Sequence, residues 1–262
     1  MNKYRPQLIF LNGKGRVGLF YVFNIKKIRL PVIGALLFCV LTAIIVKRAQ
    51  CFATEAAAMQ RMSSSRPVLI IDAGHGGLDG GAVSPDGTAE SGINLDIALR
   101  LHELCSLFGV DAVMTRTSEN IDYPDTAKTV SQKKSWDQKR RAELISSTPS
   151  AVLISIHQNK YPDPRPCGAQ VLYGKADGSR ELGEYMHELL RTSLNPENRR
   201  VAAPIPDDIY LMRMAKCPAV LVECGFLSNP DEAELLKSAD YRTKLAMVLL
   251  AAFLSCRDLP ST

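Results

Sequence analysis

The stretch PVLIIDAGHGG, residues 67–77, joins a short β-branched run to a glycine-rich turn around His75. The run from Val68 to Ile71 is apolar at every position, which is typical of a strand buried on both faces of a sheet. The glycines that follow allow a tight turn and the close approach of a ligand. A lone Gly-His-Gly is more often a turn than a metal site, so the role of His75 depends on the other motifs.

From residue 67 onward, apolar runs alternate with segments of helical spacing. Residues 117–135 are polar, show no periodicity and are predicted to form a long loop. The alternation predicts an α/β fold: a single domain with a mostly parallel twisted sheet of about six strands and helices on both faces. Strands are predicted at 68–71, 112–115, 151–156, 169–173 and 219–222, and helices at 93–108, 136–146, 179–190, from 230, and at 240–255.

The first 48 residues differ in charge from the rest of the chain. Nine of the 32 Lys and Arg residues lie there, and none of the 27 Asp and Glu residues. Residues 49–262 therefore carry 23 basic and 27 acidic side chains. This acidic body also lacks an aromatic-interleaved basic stripe, so the composition argues against nucleic-acid binding.

A run of 17 uncharged residues, Leu30 to Val46, predicts a transmembrane anchor or signal segment at 30–48, after a basic cytoplasmic tail at 1–29. More basic residues precede the run than follow it, which orients the C-terminal body outwards. An uncleaved anchor is favoured over a cleaved signal. We expect an extracytoplasmic protein, membrane-anchored or secreted, with a linker at 49–66 and a folded domain at 67–258.

Three polar side chains stand at the ends of predicted strands. His75 follows the first strand, His157 ends the third, and Glu223 ends the fifth. Because ligands bind at the carboxyl ends of parallel strands, these residues are expected at one sheet edge. The alternatives are a core histidine for His157 and a buried salt bridge for Glu223. Glu90 precedes the first long helix, where a carboxylate is also favoured by the helix dipole.

Two imidazoles and one carboxylate can hold a Zn²⁺ ion with one coordination position open, and a second carboxylate can then act as a base. Other polar residues are assigned different roles. His102 and His187 lie in helical patterns beside charged residues and are predicted to be on the surface. Asp79 and Asp86 lie in a glycine-rich loop and are expected to serve its turns, with shaping of the cleft as the alternative role.

Residues 67–258 resemble the zinc-dependent N-acetylmuramoyl-L-alanine amidases of the amidase 3 type. The IYLM and NRR segments (209–212 and 198–200) and the N-terminal segment are most similar to family members that act in the spore cortex. The resemblance implies that His75, Glu90 and His157 are zinc ligands and that Glu223 is the catalytic carboxylate. The segments that carry it are IDAGHGG (71–77) with DGGA (79–82), Glu90 ahead of Asn94 and Leu95, MTR (114–116), Arg141, SIHQN (155–159) and VECGFLSN (222–229).

The resemblance implies hydrolysis of the amide between N-acetylmuramic acid and L-alanine in peptidoglycan. For the spore-cortex members it also implies a place between the forespore membranes, where a separate deacetylase completes muramic-δ-lactam. The expected partners are peptidoglycan and, through the N-terminal helix, the membrane. The role of Arg116 and Arg141 stays open between a salt bridge within the fold and substrate contact.

Two other classes of protein also fit these residues. A metal-independent glycosidase of the cell wall would use Glu90 and Glu223 as an acid and base pair. A non-catalytic wall-binding protein would carry the same side chains as a vestigial site. An Fe²⁺ ion at the two histidines and one carboxylate is a further alternative to zinc.

Overall fold

The computed structural model describes residues 66–256 together with residues 42, 45–48 and 50. The chain divides into two compact units, Met1–Ser64 and Ser65–Thr262. In the first unit, the few described residues are helical. Among the described residues, no helix is both long and apolar enough to cross a membrane. The predicted basic tail lies wholly outside the described residues, and the predicted anchor and linker lie largely outside them.

Six strands form one mixed sheet in the described part of the second unit. They are β1 (Val68–Ala73), β2 (Ala112–Met114), β3 (Ala151–Asn159), β4 (Gln170–Tyr173), β5 (Ala203–Pro204) and β6 (Ala219–Phe226). Their order across the sheet is β2-β1-β3-β6-β4-β5. Neighbouring strands are parallel except β4 and β6, which are antiparallel. The predicted mostly parallel sheet of about six strands is therefore confirmed.

Helices cover both faces of the sheet, as predicted. They are α1 (Glu90–Leu107), α2 (Val130–Ser147), α3 (Ser179–Leu194), α4 (Tyr210–Met214), α5 (Pro230–Lys237) and α6 (Ala239–Cys256). On one face α1, α3 and α6 enclose the larger apolar core, and on the other α2 and α4 enclose a smaller one. β1 serves both, because Leu69 and Ile71 belong to the larger core whereas Ile70 belongs to the smaller.

Two sequence predictions about local structure are wrong. The predicted loop at 117–135 ends early, because Thr129 and Gln132 form a reciprocal capping box that starts α2 at Val130. His187, predicted to be on the surface, is buried, and its Nε2 donates to the carbonyl oxygen of Arg200 at 2.7 Å. The segment after α3 folds back over this histidine, which the pattern of α3 alone does not reveal.

The central strands determine where polar side chains meet. Because β1, β3 and β6 are adjacent and parallel, their carboxyl ends share one sheet edge. His157 on β3 pairs in register with Glu223 on β6, but Asn159 pairs with Phe226, so β6 carries one extra residue at this edge. Such a bulge redirects side chains locally, and it lies directly beside the candidate site.

Candidate metal centre

Three of the candidate residues converge at the carboxyl ends of β1 and β3. His75 follows β1, Glu90 is the first residue of α1, and His157 lies on β3. The Oε1 atom of Glu90 lies 3.2 Å from Nε2 of His75 and 3.1 Å from Nδ1 of His157. One donor atom from each residue lies within 4.8 Å of the other two. Side chains far apart in the sequence thus surround a single point.

Glycines allow the donor groups to approach the backbone closely. The rings of His75 and His157 are arranged edge to face, with centroids 5.0 Å apart and an interplanar angle of 78°. A Cβ atom at Gly74 would overlap the His157 ring, and one at Gly81 would lie 2.6 Å from the carboxyl carbon of Glu90. A larger residue at either position would displace a donor group.

The backbone at His75 has a φ of 58°, in the left-handed region that non-glycine residues rarely adopt. Two guanidinium groups hold this segment. Arg116 donates to the carbonyl oxygens of Ala73 at 2.9 Å and Gly74 at 3.0 Å. Arg141 donates to the carbonyl oxygens of Ala73 at 2.7 Å and His75 at 2.6 Å. Three consecutive carbonyl groups are therefore bound by two arginines, which stabilises the strained conformation.

Both arginines bind groups within the fold, which is the first of the two roles that the sequence left open. Arg116 and Arg141 are buried, and Arg141 pairs with Asp72 at 2.8 Å and with Asp137 at 2.7 Å. Asp72 also accepts a hydrogen bond from the Ser155 hydroxyl at 2.6 Å. Burial works to raise the pKa of Asp72, but the charge of Arg141 and the Ser155 hydroxyl lower it to about 2.

Hydrogen bonds fix the carboxylate of Glu90. Its Oε2 accepts from the backbone N–H of Ala82 at 2.6 Å, and its Oε1 accepts from Asn94 at 3.2 Å and from the N–H of Gln158 at 3.3 Å. Burial favours the protonated form, but the bonds with the two histidines hold the pKa of Glu90 well below its usual range. Glu90 is thus an ionised ligand-type carboxylate, poorly suited to be a general acid.

Glu223 has a different environment. Its Oε2 atom is buried and has no hydrogen-bond partner within the described residues, where no lysine or arginine forms an ion pair with it. Burial, followed by the negative charge of Glu90, raises the pKa of Glu223 against the opposing charge of His157. The alternative of a buried salt bridge is therefore not supported, and the raised pKa makes the carboxylate a stronger proton acceptor than an exposed glutamate.

All four side chains line one cleft of about 350 Å³. The helix α2 contributes Lys134 and Gln138 to its lining, and the segment 208–212 contributes Tyr210. A cleft of this size accommodates part of an extended polymer at the edge of a sheet, the usual place for ligands in such folds.

One contact beside the centre was missed in the sequence. Asp79 was expected to serve a turn, yet its Oδ2 lies 3.1 Å from Nδ1 of His75. Asp86, in the same loop, instead bonds to Ser84 and Lys237. The only available signal was an acidic residue four positions after a glycine-flanked histidine.

Comparisons with known proteins agree with the site. A family model described as N-acetylmuramoyl-L-alanine amidase, amidase 3, matches residues 69–254. The germination-specific N-acetylmuramoyl-L-alanine amidase of Bacillus subtilis (strain 168) is 37% identical over 183 residues, which are 70% of this chain and 76% of the relative.

Solved structures show the same likeness. The CwlD amidase from Clostridioides difficile, in complex with the GerS lipoprotein, is 37% identical with a TM-score of 0.69, over 72% of this chain and 98% of that one. An N-acetylmuramoyl-L-alanine amidase from Clostridium difficile 630 is 27% identical with a TM-score of 0.63, over 73% and 96% of the two chains. The chain therefore belongs to the N-acetylmuramoyl-L-alanine amidase family and is an enzyme of that class.

Proposed function

We propose that the enzyme is zinc-dependent and that His75, Glu90 and His157 hold the ion. Zinc bonds of about 2.0–2.1 Å in a tetrahedral site place donor atoms roughly 3.3 Å apart. The distances of 3.2 and 3.1 Å from Glu90 to the two imidazole nitrogens fit this requirement. Two nitrogens and one oxygen also form a donor set that zinc accepts with one position open. This convergence of three donors is the observation that carries the proposal.

Zinc at this position would act as a Lewis acid on the scissile amide and make water more acidic. Glu223 is the catalytic carboxylate in this proposal. It takes a proton from the attacking water and delivers it to the departing amine of L-alanine. Its raised pKa supports this role, because a base that is too weak could not accept the proton and one that is too strong could not release it.

Glu90 is unsuited to the alternative of a glycosidase acid and base pair. Its low pKa would suit the ionised partner of such a pair, but that partner needs a carboxylate oxygen open to the sugar, and Oε1 of Glu90 already accepts from Asn94 and from the N–H of Gln158. The carboxylate also bonds to Ala82 and to both histidines. The bond that is cleaved is therefore the amide between the lactyl group of N-acetylmuramic acid and L-alanine.

The proposed setting is spore-cortex maturation. It is supported by the likeness to a germination-specific amidase and to CwlD. In this setting the enzyme removes stem peptides from muramic acid, and a separate deacetylase then allows muramic-δ-lactam to form. The complex of the C. difficile relative with a lipoprotein also supports a protein partner for this chain.

The proposed organisation is a cytoplasmic tail at 1–29, a membrane anchor or signal segment at 30–48, a linker at 49–66 and a catalytic domain at 67–258. It is supported by the charge asymmetry around the uncharged run Leu30 to Val46. Anchoring would place the domain outside the cytoplasm, between the forespore membranes during sporulation. There it would keep the enzyme at high local concentration beside its polymeric substrate.

Mass spectrometry of purified peptidoglycan tests the reaction. We expect the protein to release peptides with new L-alanine amino termini, a chelator to abolish this, and added Zn²⁺ to restore it. His75→Ala should bind less zinc by elemental analysis. New reducing ends without new amino termini, or activity insensitive to chelators, would contradict the proposal. Deleting the gene should deplete muramic-δ-lactam from the spores of its bacterium, and an unchanged lactam content would contradict the cortex role.

A further inference from the structure

The imidazole of His75 contacts a carboxylate on each side. Its Nε2 faces Glu90 at 3.2 Å, and its Nδ1 faces Oδ2 of Asp79 at 3.1 Å. On the far side of Asp79, the other carboxylate oxygen lies 2.9 Å from Nζ of Lys134 on α2. Four side chains thus form a continuous polar row that begins at the candidate metal position and ends on a helix.

The backbone of the loop fixes the position of Asp79. Gly76 N–H donates to the carbonyl oxygen of Asp79 at 2.8 Å, and Asp79 N–H donates back to Gly76 at 3.0 Å. The N–H of Gly81 also donates to Oδ1 of Asp79 at 3.4 Å. These bonds close the turn immediately after His75, so the carboxylate is held against the ring without depending on a flexible side chain.

A neutral imidazole that binds a cation through Nε2 must carry its hydrogen on Nδ1. That hydrogen needs an acceptor, and metal-binding histidines generally find one in a carboxylate or a carbonyl group. Asp79 is the acceptor at this position. The ion pair with Lys134 in turn restrains the second oxygen of Asp79 and compensates its charge in a partly buried place.

We propose that Asp79 is a positioning residue that fixes the tautomer and the orientation of His75, with Lys134 holding Asp79 from α2. This proposal rests on the proposed function, because it assumes that His75 binds a metal ion. Asp79 touches neither the substrate nor the reacting atoms in this scheme. Because it acts through the ring of His75, its loss should first lower the affinity for the metal ion. The reaction rate should fall only as a consequence.

Asp86 offers a matched control. It lies in the same loop as Asp79 and also pairs with a lysine from another helix, Lys237, but it does not contact a candidate ligand. Asp86→Asn therefore removes the same charge and a similar tether from the loop. A general weakening of the loop would affect both variants, whereas loss of the support for His75 would affect only the change at Asp79.

The experiment measures zinc affinity of the full chain by competition with a chromophoric chelator. We expect Asp79→Asn to bind Zn²⁺ roughly 10–100-fold more weakly than the wild type. Asp86→Asn should bind as the wild type does. Lys134→Met should give a smaller loss, and combining it with Asp79→Asn should add nothing to the loss from Asp79→Asn alone, because Lys134 acts through Asp79.

A second measurement observes the imidazole directly. Proton NMR of the zinc-loaded protein should show the Nδ1–H of His75 shifted downfield and slow to exchange in the wild type, and faster to exchange in Asp79→Asn. Wild-type zinc affinity in Asp79→Asn, or an equal loss in Asp86→Asn, would overturn this proposal while leaving zinc dependence intact. A wild-type protein that binds no zinc would overturn the metal proposal and this one together.

Discussion

The guanidinium of Arg141 donates a hydrogen bond of 2.6 Å to the carbonyl oxygen of His75, although α2 and the β1 loop are 66 residues apart in sequence. The same side chain pairs with Asp72, which is 1% exposed. The strained histidine and the main buried ion pair of the domain therefore depend on one arginine. A change at Arg141 is expected to affect both stability and the metal centre.

Arg141→Met should destabilise the domain by about 3–5 kcal/mol, because it leaves the carboxylate of Asp72 buried without its cationic partner. Arg141→Lys keeps a positive charge but lacks the several N–H donors of the guanidinium, so its free energy of unfolding should fall by less. Urea unfolding in the presence of a chelator measures both. Arg165→Met removes an exposed ion pair and should leave the unfolding free energy unchanged. Equal stability of Arg141→Met and Arg165→Met would show that the contacts of Arg141 do not stabilise the fold.

Gly74→Ala should lower zinc content, since the added Cβ would overlap the imidazole of His157. Gly80→Ala is its control, because the nearest atom to a Cβ there is the Cβ of Ala89 at an ordinary 3.6 Å. Elemental analysis after dialysis against zinc gives the comparison. If Gly74→Ala retained full zinc content while folded, the close approach of the ring to the backbone would have no part in metal binding.

Glu223→Gln should keep the fold and the zinc, but its rate of amide cleavage should fall roughly 10²–10⁴-fold. The substitution preserves the volume of the side chain and removes its ability to accept a proton. Rates on purified peptidoglycan, normalised to bound zinc, provide the measurement. A folded, zinc-loaded variant with undiminished cleavage would remove Glu223 from the mechanism.

Acid should weaken the fold through Asp72. Its pKa is about 2 in the folded chain against an ordinary 3.8, so its ionised form stabilises the fold above pH 3.8, and this contribution is lost as the pH falls towards 2. Ser155→Ala removes a hydrogen bond of 2.6 Å to Asp72 and so raises that pKa. The stability difference between wild type and Ser155→Ala should be greatest above about pH 4 and shrink towards pH 2.

Denaturant unfolding at a series of pH values measures this difference. Ser146→Ala removes an exposed hydroxyl that bonds only locally, to the carbonyl oxygen of Glu143, and its effect should not depend on pH. A constant difference for Ser155→Ala across the same range would separate the hydroxyl from the ionisation of Asp72.

The sequence predicted the sheet and the meeting of His75, His157 and Glu223 because both follow from local pattern. Apolar runs identify buried strands, and adjacent parallel strands bring their carboxyl ends together. Glu90 was found through its motif, since a carboxylate at a helix start is common without a function. The start of α2 was missed but could have been predicted, because Thr129 and Gln132 have the spacing of a capping box.

The contacts that support the donor residues could not be predicted from the sequence. Arg116 and Arg141 bind backbone carbonyl groups, and every residue has a carbonyl group, so no residue type marks the acceptor. The contact of Asp79 with His75 depends on a turn that brings the Asp79 side chain, four residues later, back to the imidazole ring. The burial of His187 depends on a segment that returns over α3. Each of these requires tertiary structure.

The donor groups are held by bonds that belong entirely to the polypeptide: arginines on the carbonyl groups, and amides on the carboxylate of Glu90. We therefore expect the domain to fold without an ion, so that ion binding by the proposed zinc enzyme is a separate, reversible event. An enzyme built in this way would keep its fold through scarcity of metal and gain catalytic power when the surrounding fluid supplies the ion.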